Sequence, residues 1–448
     1  MAQAALTLDR IGLLTLDVLR SRWLQGAVVA LVAFGVYFAS SDRTTDYDQY
    51  VRLADSMLHG RLDIRNAPNH LELARYDDDG NAVCTVGKRR LARCDELRNA
   101  DSLAELPRVF RRDVQFNVIN PPAPAIVLMP FVAIWGISTN EVIVSMAVGA
   151  GAMGLFWIAT RQLGWDTRFS AALTLLLALG TNFWWASVDG SMWTFAHVCA
   201  VFFMMGALVE ATGNKRAWLV GILVGAAGLS RLPVFLSAPF FAYLLIPGDD
   251  RPWMRIVRDK AVLLRVGLFM AFLGAMFALD LVYNYERYGT LRDKGYYHAQ
   301  YQALPFLSQG MQDDSYIARH IQAIFFEPPV LVESVFPFFK PNVVGLSLFL
   351  TTPAFLFMFN TRFNRLTVAA MVATALTLIP IVTYGVVGAS QFGYRYSLDV
   401  LPMLAMLTAS GMRLQMSGLK WSVVGLSCVI GLWGTLSFEK YDWVAIIP

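Results

Sequence analysis

The chain has 448 residues, of which 56% are hydrophobic and only 16% are charged, and its mean hydropathy is +0.48. Soluble domains carry about 25% charged residues, and here the apolar residues stand in long blocks that are typical of membrane spans. This composition excludes a soluble globular domain. The net charge of +4 is small and is spread between the blocks, so it gives no sign of a nucleic-acid partner.

The first apolar block covers residues 24–40. Three arginines precede it, and Asp42 and Arg43 follow it in place of a small-residue cleavage site. We therefore expect a signal anchor that stays in the protein.

The apolar blocks predict an all-α polytopic membrane protein with about eleven transmembrane helices in a single membrane domain, residues 1–448. A hydrocarbon core of about 30 Å needs about 20 helical residues. The predicted spans lie near residues 24–40, 140–160, 169–187, 191–211, 217–231, 233–247, 264–284, 343–359, 366–387, 397–412 and 421–437.

One further apolar block, residues 121–137, is short and contains four prolines. If it does not cross, the basic residues of the short loops fall on one side, except Arg231 and Arg395, and the positive-inside rule is satisfied. We therefore predict an interfacial helix at 121–137. The N-terminus is then cytoplasmic, and residues 41–120 and 285–342 form two large outward-facing loops.

An acidic pair opens the first outer loop, where Asp46 and Asp48 follow the first span. A carboxylate at the membrane surface can remove the proton of an acceptor hydroxyl or hold a divalent cation against a phosphate. The alternative is that both are solvated charges or caps for a helix that begins near Gln49.

Two more ionisable residues stand close to membrane depth between the third and fourth spans. Asp189 and His197 are functional candidates because charges there are costly. The alternative for His197 is an ordinary hydrogen-bonded histidine between helices.

Arg231 and Arg395 are the two arginines at short outward turns. A guanidinium matches a phosphate in geometry, whereas the alternative is snorkelling to the lipid headgroups. In the second outer loop, Arg287 and Tyr297 suit phosphate contact and carbohydrate stacking, or an ordinary interfacial girdle.

Of the four cysteines, Cys84 and Cys94 lie in the first outer loop. A local disulfide is expected if that loop faces an oxidising compartment, and two free thiols are the alternative. Nucleotide-binding motifs, H-E-x-x-H and cysteine–histidine clusters are absent from the sequence.

Taken in order, several stretches resemble bacterial GT-C membrane glycosyltransferases, a group that includes protein mannosyltransferases and the aminoarabinose transferase of lipid A. The matching stretches are the acidic pair with residues 53–63, and residues 120–125, 180–185, 225–233, 283–289 and 391–396.

The resemblance implies transfer of a sugar from a polyprenyl-phosphate donor to a lipid, glycan or protein acceptor on the outer face of a bacterial inner membrane. It implies Asp46 or Asp48 as base, with Glu72 as a further outer carboxylate, and arginines 231 and 395 on the donor phosphate. Both aspartates would also be ligands if the enzyme needs Mg²⁺ or Mn²⁺. The sequence departs from the family because a tyrosine separates the two acids, so the identity of the base stays open.

A transporter or flippase of lipid-linked sugars is the alternative function. Such proteins tend to have internal repeats and discontinuous helices at the midplane. The chain has no convincing repeat, and its polar residues concentrate at the outer rim.

Overall fold

The computed structural model describes residues 21–64, 67–68, 73–86, 90–99, 106–247, 252–256, 258–298, 303–332 and 336–444. Within them the protein is mostly helical. The α-helices are α1 Arg22–Ser40, α2 Gln49–Leu58, α3 Cys94–Asn99, α4 Ala123–Trp135, α5 Glu141–Gln162, α6 Thr167–Leu179, α7 Phe183–Asp189, α8 Met192–Thr212, α9 Ala217–Gly228, α10 Ala238–Leu245, α11 Trp253–Ile256, α12 Lys260–Tyr288, α13 Ile317–Phe325, α14 Leu348–Thr351, α15 Arg365–Val382, α16 Leu401–Gly411 and α17 Gly418–Glu439.

Short strands and 3₁₀ turns complete the fold. The strands are β1 Leu73–Asp77, β2 Val83–Val86, β3 Arg90–Arg93, β4 Val114–Val118, β5 Val330–Leu331 and β6 Phe339–Lys340. The 3₁₀ turns are Arg111–Asp113, Gly136–Ser138, Leu232–Ser237, Pro305–Leu307, Asp314–Tyr316, Pro353–Asn360 and Arg395–Val400.

Six of the described helices are long and apolar enough to cross a membrane: α1, α5, α8, α12, α15 and α17. The pair α6 and α7 passes the same test as one span bent by 48°. The protein is therefore a membrane protein with six or seven long spans, fewer than the eleven predicted. The predicted interfacial block forms α4, a shorter apolar helix.

The other four predicted spans are helical but short or broken. Residues 217–228 and 232–245 form two short apolar pieces. Proline marks three of the breaks, because it lacks an amide hydrogen and is best accommodated in a first helical turn. Prolines occupy that position after Arg231, Thr352 and Val400.

Side-chain caps define where several helices begin. Asn140 accepts from the amide of Ile143 at the start of α5, and Asp166 accepts from that of Phe169 at the start of α6. These caps satisfy amides that have no partner in the first helical turn.

The centre of the bundle is formed by α5 and α8, whose side chains are mostly buried, whereas α1 and α12 are largely exposed at its periphery. Helix α1 packs on α5 through two glycines. A Cβ on Gly154 would lie 2.6 Å from the carbonyl oxygen of Gly26, so the close approach requires glycine.

A small β-structure packs against α2 and α4, a feature that the all-α prediction omitted. Strand β1 pairs antiparallel with β4, and β2 pairs with β3. A disulfide joins Cys84 to Cys94 with an S–S distance of 2.12 Å. We call residues 73–118 the outer cap because they lie in the predicted first outer loop; its apolar side chains share one core with α2, α4 and the N-terminal half of α8.

Candidate functional site

Two neighbouring cavities occupy the face of the bundle that carries the outer cap. The smaller one, of about 260 Å³, is lined by Asp42, Asp46, Asp189 and Glu439, and we call it the acidic chamber. The larger one, of about 750 Å³, contains Arg231 and is called the arginine cavity. Both are lined by Tyr47, Trp193, Ala389, Ser390 and Arg395, so they meet along one shared wall.

The acidic chamber brings together two of the predicted acids, Asp46 and Asp189. Asp46 lies in the segment between α1 and α2. Asp189 is the last residue of α7, and its Oδ2 accepts hydrogen bonds from the hydroxyls of Ser191 and Thr194. Beside them the rings of Tyr47 and Trp193 pack with centroids 4.6 Å apart.

Asp48 lies outside both cavities. It precedes α2, and its Oδ1 accepts a hydrogen bond from Nε of Arg52 at 2.8 Å. It does not cap α2 with its side chain. The two members of the acidic pair therefore have different surroundings, and only Asp46 lies at a cavity.

Both predicted phosphate-binding arginines line the arginine cavity. The guanidinium carbons of Arg231 and Arg395 lie 5.4 Å and 5.3 Å from the ring centroid of Tyr396. Nη1 of Arg395 also donates to the carbonyl of Ala389 at 3.4 Å. One tyrosine ring therefore holds two positive charges at the wall of one cavity.

Asp399, which the sequence analysis did not select, is the anion behind Arg231. Its Oδ2 lies 3.3 Å from both Nε and Nη2 of Arg231, and its Oδ1 lies 2.7 Å from Nδ1 of His197. His197 lines neither cavity; it is a buried hydrogen-bonded histidine between helices, the alternative that its sequence position left open.

The two candidate site residues of the second outer loop, Tyr297 and Arg287, lie in different places. Tyr297 lines the arginine cavity and is 52% exposed. Arg287 lines neither cavity, donates to the carbonyl of Val118 at 2.6 Å and stacks on Tyr283 and Tyr288. Arg287 therefore joins α12 to the outer cap. Glu72 lies outside the described residues.

Asp293 is a further carboxyl at the wall of the arginine cavity. Burial raises the pKa of Asp293, although Arg287 and the backbone amides of Gly295 and Tyr296 act in the opposite direction. Nothing in the local sequence distinguishes it from a loop aspartate.

The sequence does contain a signal for two other residues that the sequence analysis did not select. Asp399 and Glu141 both lie inside predicted spans, where an ionisable residue is a functional candidate by default. That rule, applied to every predicted span, would have selected both.

The described residues do not include a group of three or more His, Cys, Asp or Glu side chains that could hold a metal ion. Among the described residues, Asp46 and Asp48 therefore lack a third protein ligand of this kind.

Comparisons with protein-family models, curated proteins and solved structures find no match for this chain.

Proposed function

We propose that this chain is a membrane glycosyltransferase of the GT-C kind with eleven spans. It would move a hexosyl or pentosyl group from a polyprenyl-phosphate donor to a hydroxyl of a lipid, glycan or protein. The reaction would take place on the periplasmic or extracellular face of a cell membrane, with the N-terminus in the cytoplasm.

The observation that carries the proposal is the shared wall between the two cavities. A direct displacement at the anomeric carbon uses a carboxylate near the reacting hydroxyl and a positive charge near the leaving phosphate. Asp46 lies in the acidic chamber, Arg231 lies in the arginine cavity, and Arg395 lines both. Donor and acceptor can therefore meet beside Tyr47 and Trp193.

The arginine cavity also suits a lipid donor in shape and polarity. Part of its lining is apolar, and this part includes Leu232, Leu236 and Ile381. A volume of about 750 Å³ is within the range of small-molecule sites and can hold a sugar phosphate with its first isoprene units. The remaining chain would lie in the bilayer.

In the proposed reaction, Asp46 accepts the proton of the acceptor hydroxyl. The hydroxyl oxygen forms a bond to the anomeric carbon, and the bond from that carbon to the phosphate oxygen breaks. The electron pair leaves with the polyprenyl phosphate, whose charge the guanidiniums of Arg231 and Arg395 stabilise.

The test uses the full chain in lipid nanodiscs with polyprenyl-phosphate hexoses and pentoses that carry a radiolabelled sugar. A cell-envelope extract supplies acceptors, and chromatography separates the donor from the product. We expect the wild type to transfer label and Asp46→Asn to lose ~100-fold or more, as for removal of a general base.

Asp79→Asn is the matched control, because Asp79 is an outer-cap carboxylate with a 76% exposed side chain and lines neither cavity. It should transfer as the wild type does. A wild type that transfers no label from any of these donors, or an Asp46→Asn variant with full activity, contradicts the proposal.

One observation favours the second candidate, a transporter or flippase of lipid-linked sugars. Helices α6 and α7 meet at a 48° break, and discontinuous helices are common at transporter sites. However, Asn182 at this break donates to the carbonyl of Tyr394 at 3.1 Å, which indicates a packed joint. Movement of labelled donor between leaflets without a covalent product would favour this candidate.

A further inference from the structure

Asp399 is a buried carboxylate shared between two elements. It lies in the 3₁₀ turn Arg395–Val400, and both it and His197 have no exposed side-chain surface. One oxygen faces Nδ1 of His197 on α8, and the other faces the guanidinium of Arg231, which stands between α9 and the following 3₁₀ turn. Three parts of the chain therefore meet at one carboxylate.

The pairing leaves part of the arginine available for an anion. Arg231 donates to Asp399 through Nε and Nη2, and its side chain is 17% exposed at the wall of the arginine cavity. A guanidinium has five N–H donors in a rigid plane. Over the described part of the chain, Nη1 has no hydrogen-bond partner, so it remains free to donate to a ligand.

His197 holds the carboxylate from its other side. A carboxylate only accepts hydrogen bonds, so Nδ1 of His197 carries the proton that lies in the 2.7 Å contact. Nε2 of His197 is buried without a partner among the described residues. The imidazole thus acts as a brace for Asp399 and not as a group that reaches the cavity.

We propose that Asp399 is a positioning residue that orients Arg231 toward the lipid phosphate, with His197 fixing the carboxylate in turn. This inference rests on the proposed function for the identity of the anion. Without Asp399, the guanidinium would keep its charge but lose its fixed plane, and a buried arginine without a counter-ion would turn away from the protein interior. The phosphate would then meet a mobile cation.

The first experiment measures binding of two probes to the full chain in nanodiscs: polyprenyl phosphate and the corresponding neutral polyprenol. We expect Asp399→Asn to weaken polyprenyl phosphate binding by ~30-fold or more, in line with losing one partner of a buried charge pair. Polyprenol binding should stay unchanged, because the alcohol makes no use of the arginine. Asp399→Glu should restore part of the phosphate affinity.

Asp280→Asn is the matched control. Asp280 is also buried within a helix, where it accepts from Asn284 at 3.2 Å, but it lines neither cavity. This variant should bind both probes as the wild type does.

A second variant covers the case in which Asp399→Asn does not fold. His197→Gln leaves the Asp399–Arg231 pair intact and removes the imidazole brace. It should weaken polyprenyl phosphate binding several-fold and leave polyprenol binding unchanged. Unchanged phosphate binding in every folded variant, or equal losses for the phosphate and the alcohol, overturns the positioning role.

A spectroscopic readout separates this inference from the proposed function. Nitrogen-15 spectra of labelled histidine should show His197 protonated at Nδ1, with the signal assigned by its loss in His197→Gln. If His197 carries its proton only on Nε2, Asp399 does not hold it and the positioning role is wrong. If the wild type binds no polyprenyl phosphate while this signature is present, the donor assignment fails and the positioning of Arg231 stands.

Discussion

At the residue scale, Asp46 and Asp48, the acidic pair that follows α1, have different surroundings. Asp46 lines the acidic chamber, whereas Asp48 pairs with Arg52 one helical turn later. The intervening residue is Tyr47, which faces both cavities.

This difference predicts unequal effects of two isosteric changes. Asp46→Asn should lower sugar transfer by ~100-fold or more because it removes the proposed base. Asp48→Asn should keep transfer within a few-fold of wild type and lower stability by ~0.3–1 kcal/mol, the usual value of a partly exposed i,i+4 pair. Transfer rates and thermal midpoints of both variants test this, and equal losses of transfer would contradict it.

Glu141 is a buried carboxylate in the first turn of α5. It is 2% exposed, and its carboxylate has no side-chain hydrogen-bond partner in the described part of the chain, where the backbone amide of Val51 faces it. Burying an ionisable group with so little hydrogen bonding is costly.

The neutral isostere should therefore stabilise the protein. We expect Glu141→Gln to raise the stability by ~1–3 kcal/mol, since the amide keeps the shape and is cheaper to bury than a carboxylate. Thermal unfolding in detergent measures the change, and Asp113→Asn, at an exposed position, should differ from wild type by no more than ~0.5 kcal/mol. A lower midpoint for Glu141→Gln would show that the carboxylate is satisfied.

At the element scale, the outer cap is a thin structure whose hairpin is closed by a disulfide. Strands β2 and β3 are four residues each, and Cys84 and Cys94 are ten positions apart. Two-stranded hairpins of this size are marginal alone.

Removing the disulfide should loosen the hairpin and leave the spans intact. The Cys84→Ser/Cys94→Ser double variant should lose ~2–4 kcal/mol of local stability. Hydrogen exchange should become faster in peptides from the outer cap and stay unchanged in α5 and α8. Equal protection of the hairpin in both proteins would mean that packing on α2 and α4 is sufficient.

The second outer loop is attached to the outer cap by His298. Its Nε2 donates to the carbonyl of Arg75 on β1 at 2.9 Å, and burial, the largest cause, lowers the pKa of His298 to about 4. An unfolded histidine has a pKa of about 6.5. The imidazole of His298 therefore stays neutral in the folded protein at pH values at which the unfolded chain binds a proton.

Because the pKa of His298 is lower in the folded protein, we expect the contact between the second outer loop and β1 to weaken in acid. The contribution of His298 is complete above pH ~6.5 and declines as the pH falls toward 4, by up to ~3 kcal/mol. His298→Gln keeps a donor for the Arg75 carbonyl and does not titrate. Hydrogen exchange of β1, compared at pH 7 and pH 5, should depend on pH more strongly in the wild type than in the variant.

At the scale of the whole molecule, both cavities open on the side that carries the outer cap, while the turn between α5 and α6 lies at the opposite end of α5. The proposed function needs the cavities outside the cell. Gly164 is in that turn, and Ser308 is exposed in the second outer loop.

Cysteine labelling in intact cells tests this orientation. In a chain with Cys199→Ala and Cys428→Ser, an impermeant maleimide should label Ser308→Cys at once and Gly164→Cys only after lysis. The charge bias of the short loops is the physical reason. Labelling of Gly164→Cys in intact cells would invert the topology and place both cavities in the cytoplasm.

Much of the architecture follows from local sequence. Each of the eleven predicted spans contains helical turns in the structure, because a long apolar stretch in lipid must satisfy its own backbone hydrogen bonds. Residues 343–347, at the start of one predicted span, are not helical. The lengths of the spans were less predictable. Pro353 and Pro402 divide segments that hydropathy alone treats as continuous, whereas Pro233 lies at a break that the sequence predicted.

The site depended on tertiary structure. The sequence by itself determined that the chain is a mostly helical membrane protein, and it selected Asp46, Asp189, Arg231, Tyr297 and Arg395, which line the two cavities. Only the packing of the helices decided that Arg287 serves the outer cap and that Asp399 serves Arg231, 168 positions away, and His197, 202 positions away. Hydropathy acts along a segment of about 20 residues, whereas the partner of a buried charge is set by which helices become neighbours.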